Sequence, residues 1–210
     1  MQSNGNIVVL VLGASGSGKS LFIREATNDE TVVVGEEGTM ESVTQNVKSS
    51  VMTTRASLIF IDTPAPANDR LLDAGLINAI SDELGQQLKG DGRIGCVVYC
   101  LTQAGPLHRQ HVVNGLLDVS RLTVKHPKLR DAALIFAAMR REKEELKPIS
   151  WKTILKERGV ELVSGSPCTD IDNLKNLVLE QCDTSKPPLP VNKHCWFNRF
   201  WLRNRGRNDM

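Results

Sequence analysis

The sequence predicts an α/β fold: a three-layer sandwich whose mostly parallel sheet carries helices on both faces. Three observations predict it. Apolar runs alternate with helical patterns along most of the 210 residues, as in βα repeats. The runs at 6–12, 94–101 and 132–139 are almost continuously apolar, as strands covered on both faces are. Lys89-Gly90-Asp91-Gly92 and Lys147-Pro148 punctuate the pattern where turns belong.

Taken in order, Ile7-Val8-Val9-Leu10-Val11-Leu12 is rich in β-branched residues and makes 6–12 a buried strand. Leu21-Phe22-Ile23-Arg24-Glu25-Ala26 combines apolar positions with good helix formers, so 19–27 reads as a packed helix. Residues 43–53 and 56–62 read as a hairpin, and 70–89 as a helix. A strand at 94–101, a helix at 107–126 and a strand at 132–139 follow. A helix at 150–158, a strand at 160–164 and a helix at 170–183 complete the series. Thr-Ser-Lys-Pro-Pro-Leu-Pro-Val-Asn at 184–192 is an extended linker. The expected organisation is one domain over 1–183, then a linker and tail over 184–210.

Composition is that of a globular protein, 40% apolar and 24% charged. No apolar run reaches membrane-span length, and Met1-Gln2-Ser3-Asn4-Gly5-Asn6 carries no signal-peptide pattern. The five Cys form no C-x-x-C pair, and Cys96 and Cys100 lie in an apolar strand as small buried thiols. The four scattered His offer no metal-ligand spacing. A reducing, cytoplasmic setting is the expectation. Residues 186–210 carry +5, which leaves −3 for the rest of a +2 chain. That mildly acidic body disfavours nucleic-acid binding.

The chemistry concentrates between strand 6–12 and helix 19–27. Gly13-Ala14-Ser15-Gly16-Ser17-Gly18-Lys19-Ser20 fits G-x-x-x-x-G-K-[ST], the phosphate-binding loop of P-loop NTPases. Gly13, Gly16 and Gly18, with Ser15 and Ser17 between them, let successive backbone N–H groups point inward at an anion, and the helix N-terminus adds its positive end. Lys19 is placed for the β- and γ-phosphates, and the Ser20 hydroxyl for Mg²⁺. Downstream, Leu58-Ile59-Phe60-Ile61-Asp62 ends a strand in an acid, where Mg²⁺ needs a carboxylate.

Asp62-Thr63-Pro64 together with the glycine loop resembles the immunity-associated GTPases of the avirulence-induced-gene (GIMAP) type, relatives of septins and of the plastid import-receptor GTPases. Glu41-Ser42-Val43-Thr44-Gln45 is similar to the first switch segment of that family. The resemblance implies that Thr44 closes over the γ-phosphate and Mg²⁺. Val97-Val98-Tyr99-Cys100-Leu101-Thr102-Gln103-Ala104-Gly105 resembles the fourth strand and its exit turn. Met139-Arg140-Arg141-Glu142 stands where the guanine-reading motif falls, with Arg140 and Glu142 as base contacts, and Ser164-Gly165-Ser166 resembles the fifth motif, with Ser164 beside the base. The match runs over about 6–183 and implies GTP or GDP and Mg²⁺ as ligands, and a homodimer across the nucleotide face.

Three departures stand out. Ala65 replaces the glycine expected after Asp62-Thr63-Pro64 and restricts the swing of its N–H toward the γ-phosphate. The guanine motif ends in Glu142, with Glu144 and Glu145 close by, and a solvated charge run remains an open reading of Arg140-Arg141-Glu142-Lys143-Glu144-Glu145. No water-orienting Gln follows Asp62, and the catalytic Arg that the family places just after the fourth strand is matched here only by Arg109, which is displaced from that place.

The tail 194–206 sets Trp196, Phe197, Phe200 and Trp201 beside Arg199, Arg203 and Arg205. As a helix this is the pattern of a peripheral membrane anchor, with docking on a protein surface as the alternative. The functional expectation is a guanine-nucleotide-binding switch or scaffold with slow GTP hydrolysis. A structural nucleotide-binding module without hydrolysis and an ATP-using P-loop kinase are the alternatives, and the kinase lacks a clustered-Arg lid.

Overall fold

The computed structural model describes residues 5–35, 44–53, 57–66, 71–101, 108–137 and 170–183. Within them lie five strands, β1 (Ile7–Gly13), β2 (Lys48–Thr53), β3 (Ser57–Asp62), β4 (Arg93–Cys100) and β5 (Ala133–Ala137). Four helices accompany them: α1 (Lys19–Thr27), α2 (Ala74–Gln87), α3 (His108–Lys125) and α4 (Ile171–Cys182). The strands form one sheet in the order β2-β3-β1-β4-β5. β1 runs parallel to β3 and β4, β4 runs parallel to β5, and only β2 is antiparallel, to β3.

Alternation along β1 explains the layers. Val8, Leu10 and Leu12 pack on one face with Ile77, Ile80 and Leu84 of α2 and Leu116, Val119 and Leu122 of α3. Ile7, Val9 and Val11 pack on the other with Phe22, Ile23 and Ala26 of α1 and Leu174 and Val178 of α4. Phe22 meets Phe60 of β3 edge to face, 5.9 Å between ring centroids, the geometry that ring quadrupoles favour. The three-layer α/β sandwich expected from the sequence is the fold observed.

β4 breaks its own alternation. Val8 pairs with Ile94 but Val9 pairs with Cys96, so Gly95 is an extra residue opposite β1. Such a bulge resets which side chains face which layer. Ile94 therefore packs toward α2 and α3 while Cys96 packs toward α1 and α4. A Cβ on Gly95 would lie 2.5 Å from Cys182 Sγ and 2.9 Å from Ile7 Cγ2, so the end of α4 crosses the sheet here only because this residue has no side chain.

Several boundaries differ from the sequence expectation. β2 begins at Lys48 rather than near 43. Its ladder with β3 stops at the Lys48–Asp62 pair, and Thr44 is drawn instead to Ser20 and Asp62. α2 begins at Ala74 rather than 70, because the Leu72 N–H is taken by Asp118 of α3 and the Asp73 carboxylate caps the helix by accepting from the Leu76 N–H at 2.8 Å; such a cap is worth about 0.5–2 kcal/mol. A 3-10 helix, Pro127–Asp131, precedes β5 with Pro at its start, where a missing N–H does no harm; the sequence reading had no element there. The helix expected at 150–158 and the strand expected at 160–164 lie outside the described residues.

Candidate functional site

β1 ends in Gly13 at φ 142, and a Cβ there would sit 2.1 Å from the Cys100 carbonyl oxygen of β4. Only glycine allows the chain to leave the sheet at that point. Gly16 and Gly18 follow at φ 65 and 86, and Gly18 is the residue on which α1 starts. Ser17, buried, closes the loop on itself by donating its hydroxyl to the Ala14 carbonyl at 2.8 Å. Ser15 lies half-buried in the same turn. No side chain caps α1, and no acid lies in its first turn. Its positive end therefore faces the loop with no acid of its own first turn against it, which suits an anion.

Lys19 opens α1, and its side chain is buried rather than solvated. Nζ donates to the Gly13 carbonyl at 2.9 Å and to the Ala14 carbonyl at 2.8 Å. The ammonium is thus held over the mouth of the loop by the loop's own backbone. Beneath it, the Cys100 thiol is pushed up to about 12 by burial, with the Lys19 charge lowering it and Asp62 raising it.

At the next residue, three oxygens from three separate segments converge. The Ser20 hydroxyl donates to Asp62 Oδ2 at 2.8 Å, and the Thr44 hydroxyl donates to the same oxygen at 3.1 Å. Ser20 Oγ and Thr44 Oγ1 are themselves 3.1 Å apart. Two hydroxyls bring two protons to three contacts, so one oxygen pair is held close without a hydrogen between its members. Asp62 is 6% exposed, and its Oδ1 is buried with no hydrogen-bond partner. An orphaned buried carboxylate oxygen costs about 1–3 kcal/mol or more. A small divalent cation, which prefers oxygen ligands, answers both deficits at once. The donor set fits Mg²⁺.

The fold fixes Asp62 in place. It pairs with Val11 across β1 and β3, and the buried Thr63 hydroxyl donates to the Val11 carbonyl at 2.8 Å. Pro64 and Pro66 are buried on either side of the half-buried Ala65. Proline fixes φ, and it biases the residue before it toward extended backbone, so this segment is stiff.

The structure therefore brings together Gly13, Ser15, Gly16, Ser17, Gly18, Lys19, Ser20, Thr44 and Asp62, with Ala65 three residues beyond Asp62. Arg109 lies in the first turn of α3, and its side chain is outside the described residues, as are Arg140, Glu142, Ser164 and the tail 194–206. Thr63 was read from the sequence as part of Asp62-Thr63-Pro64 but given no role in the site. Its hydroxyl bond to the Val11 carbonyl joins two separate segments, which no local pattern shows.

No protein-family model matches this sequence, and no curated protein matches it. Solved structures do. Translation elongation factor SelB from Methanococcus maripaludis, in complex with the GTP analogue GPPNHP, superposes with a TM-score of 0.52 at 14% identity over 89% of this chain and 36% of that one. The fold is that of a P-loop NTPase. A dimerization-deficient mutant of Toc33 from Arabidopsis thaliana gives 0.49 at 17% identity over 75% of this chain, and the G domain of the T. maritima FeoB iron transporter gives 0.47 at 20% over 85%. This chain spans 59% of the length of that Toc33 chain and 99% of the FeoB domain. Within the P-loop NTPase fold, the glycine loop and Asp62 lie at the carboxyl ends of adjacent parallel strands, where open α/β sheets hold their ligands.

Proposed function

We propose that this chain is a guanine-nucleotide-binding G domain with slow GTP hydrolysis, of the immunity-associated type, acting as a switch or scaffold. The observation that carries the reading is the convergence of Ser20, Thr44 and the half-orphaned Asp62 beside an uncapped helix on a glycine loop. The backbone N–H groups of 13–18 and Lys19 would hold the phosphates, and Ser20, Thr44 and Asp62 would hold Mg²⁺. When bound, Mg²⁺ neutralises charge developing on the transferred phosphoryl group. SelB shares the fold and was crystallised with a GTP analogue, which supports a purine nucleoside triphosphate in the same cradle. Guanine selectivity rests on the resemblance that sets Arg140, Glu142 and Ser164 around the base.

A second reading, a nucleotide-binding structural module without hydrolysis, is favoured by the rigid Pro64-Ala65-Pro66 run and the absence of a Gln after Asp62. Calorimetric titration of the purified chain with Mg²⁺-GDP and Mg²⁺-ADP tests the proposal. GDP should bind more tightly than ADP, and Glu142→Ala should erase the difference, worth about 1–3 kcal/mol for donors left unpaired. Lys19→Ala should abolish binding while the far-ultraviolet spectrum stays unchanged. Undiminished affinity in Lys19→Ala overturns the phosphate cradle, and equal GDP and ADP affinity in the wild type overturns the guanine assignment. Single-turnover measurement with GTP then separates the slow hydrolase from the non-hydrolysing module.

A further inference from the structure

Midway along β4, away from the glycine loop, lies a pair of sulfurs that the nucleotide site does not use. Cys96 follows the Gly95 bulge on β4, and Cys182 is the last residue of α4. Their thiols are hydrogen-bonded to one another, and both are buried. The missing side chain at Gly95 opens the space that Cys182 Sγ fills, since a Cβ there would lie 2.5 Å from the sulfur. Arg93, at the start of the same strand, donates from Nη2 to the Cys182 carbonyl at 2.7 Å and so holds the helix end over the strand.

We propose that Cys96 and Cys182 are an oxidisable dithiol that a peroxide closes to a disulfide, tying the last described helix to the sheet. The pair is asymmetric. The contact with Cys96 and the Arg93 guanidinium hold the Cys182 thiol below the ordinary value against the burial that raises it, whereas Cys96 is pushed well above its own by that contact and by burial. Cys182, at the end of α4, is assigned as the attacking thiolate, and Cys96, inside a strand flanked by β1 and β5, as the resolving thiol. Both sulfurs are buried, and the oxidant reaches Cys182 when the last turn of α4 opens, since helix ends fray.

The Cys182 thiolate attacks the distal oxygen of the peroxide, breaking the O–O bond and releasing alkoxide or hydroxide, and becomes a sulfenic acid. The Cys96 sulfur then attacks the sulfenic sulfur, the S–O bond breaks, and the proton of Cys96 leaves with the hydroxyl as water. Two thiols lose two electrons, and the peroxide is reduced to water plus an alcohol, or to two waters if it is hydrogen peroxide. The new bond closes a loop of about 85 residues, a length at which cross-links restrict the unfolded chain strongly. The inference does not rest on the nucleotide reading.

The test treats the full chain with hydrogen peroxide, blocks remaining thiols, and maps peptides without reduction by mass spectrometry. A Cys96–Cys182 cross-linked peptide is expected, together with a melting temperature raised by about 5–10 °C that returns to its starting value with dithiothreitol. Cys182→Ser should show neither the cross-link nor the shift, with Cys96 still alkylatable after unfolding. Cross-linking of Cys182 to Cys168 or Cys195 instead, or both thiols remaining alkylatable in the unfolded treated protein, overturns the proposal.

Discussion

Asp118 offers a sharp test of how this fold is held together. It sits on α3 with its side chain 1% exposed, and its Oδ1 accepts the Leu72 N–H at 2.9 Å. Arg121, one turn on, is 4.0 Å from the same oxygen and donates from Nη1 to the Leu72 carbonyl. Two side chains of α3 thus grip both backbone polar groups of the residue that leads into α2. Burial drives the Asp118 carboxyl up to about 7, and the Leu72 N–H and Arg121 only partly offset it. Because its folded value lies above the unfolded one, the folded state holds the proton longer. Stability from this group is therefore full below about pH 4 and declines as pH rises toward 7. At 1.36 kcal/mol per unit, the wild type should lose about 2–3 kcal/mol between pH 5 and 8 relative to Asp118→Asn, which keeps an acceptor for Leu72 but cannot ionise. Urea unfolding of both proteins at half-unit pH steps, without added nucleotide, measures this directly. Parallel stability curves for the two would refute the reasoning, because the ionisation of Asp118 would then carry no linkage to folding.

Other outcomes follow from the same geometry. Gly13→Ala should both lower the melting temperature and abolish nucleotide binding, since a Cβ 2.1 Å from the Cys100 carbonyl at φ 142 must push β1 from β4; backbone strain alone contributes about 1–3 kcal/mol, and a variant with wild-type melting would contradict the packing. GTP turnover should be very slow in dilute protein and rise with concentration if an Arg is supplied across a dimer, an effect of about 10³–10⁵-fold; Arg109→Ala should flatten the rise, and a rate of several per second independent of concentration would contradict the account. The full chain should co-sediment with anionic vesicles and release in high salt, each Arg near the surface adding about 1 kcal/mol, whereas a chain truncated after Asp183 should stay in the supernatant. If neither binds, the aromatics of 194–206 pack on protein instead.

The legible parts of this molecule are those whose signal is local. The glycine loop carries its chemistry in eight consecutive residues, and the strands around it announce themselves as apolar runs. Asp62 was readable because a strand ending in an acid is itself a short pattern. Thr44 was reached only through a family resemblance, because its meeting with Ser20 and Asp62 depends on contacts between distant segments. The start of α2 was misplaced for a similar reason. Leu71 and Leu72 continue the helical spacing, but the Leu72 backbone is claimed by a residue 46 positions away. The Gly95 bulge hid inside Arg93-Ile94-Gly95-Cys96, where one glycine in an apolar run carries no mark of which face follows it. Asp118 and the Cys96–Cys182 pair had no local signature at all, since each acquires its character from a partner on another element.

The strand order has a consequence for how the chain is made. β1 is the first described strand to leave the ribosome, yet it lies in the middle of the sheet, between β3 and β4. Its two partners are complete only at Asp62 and Cys100. At about 5–20 residues per second, the second of them emerges roughly 5–20 s after the first strand does. Until Asp62 has emerged both edges of Ile7–Gly13 are unpaired, and until Cys100 has emerged one still is, so this apolar segment is available to another chain for that time. The antiparallel β2–β3 pair, local in sequence, forms without waiting. Among the described strands, the phosphate-loop strand therefore waits longest for its partners, and a neighbouring nascent chain could pair with it in that time.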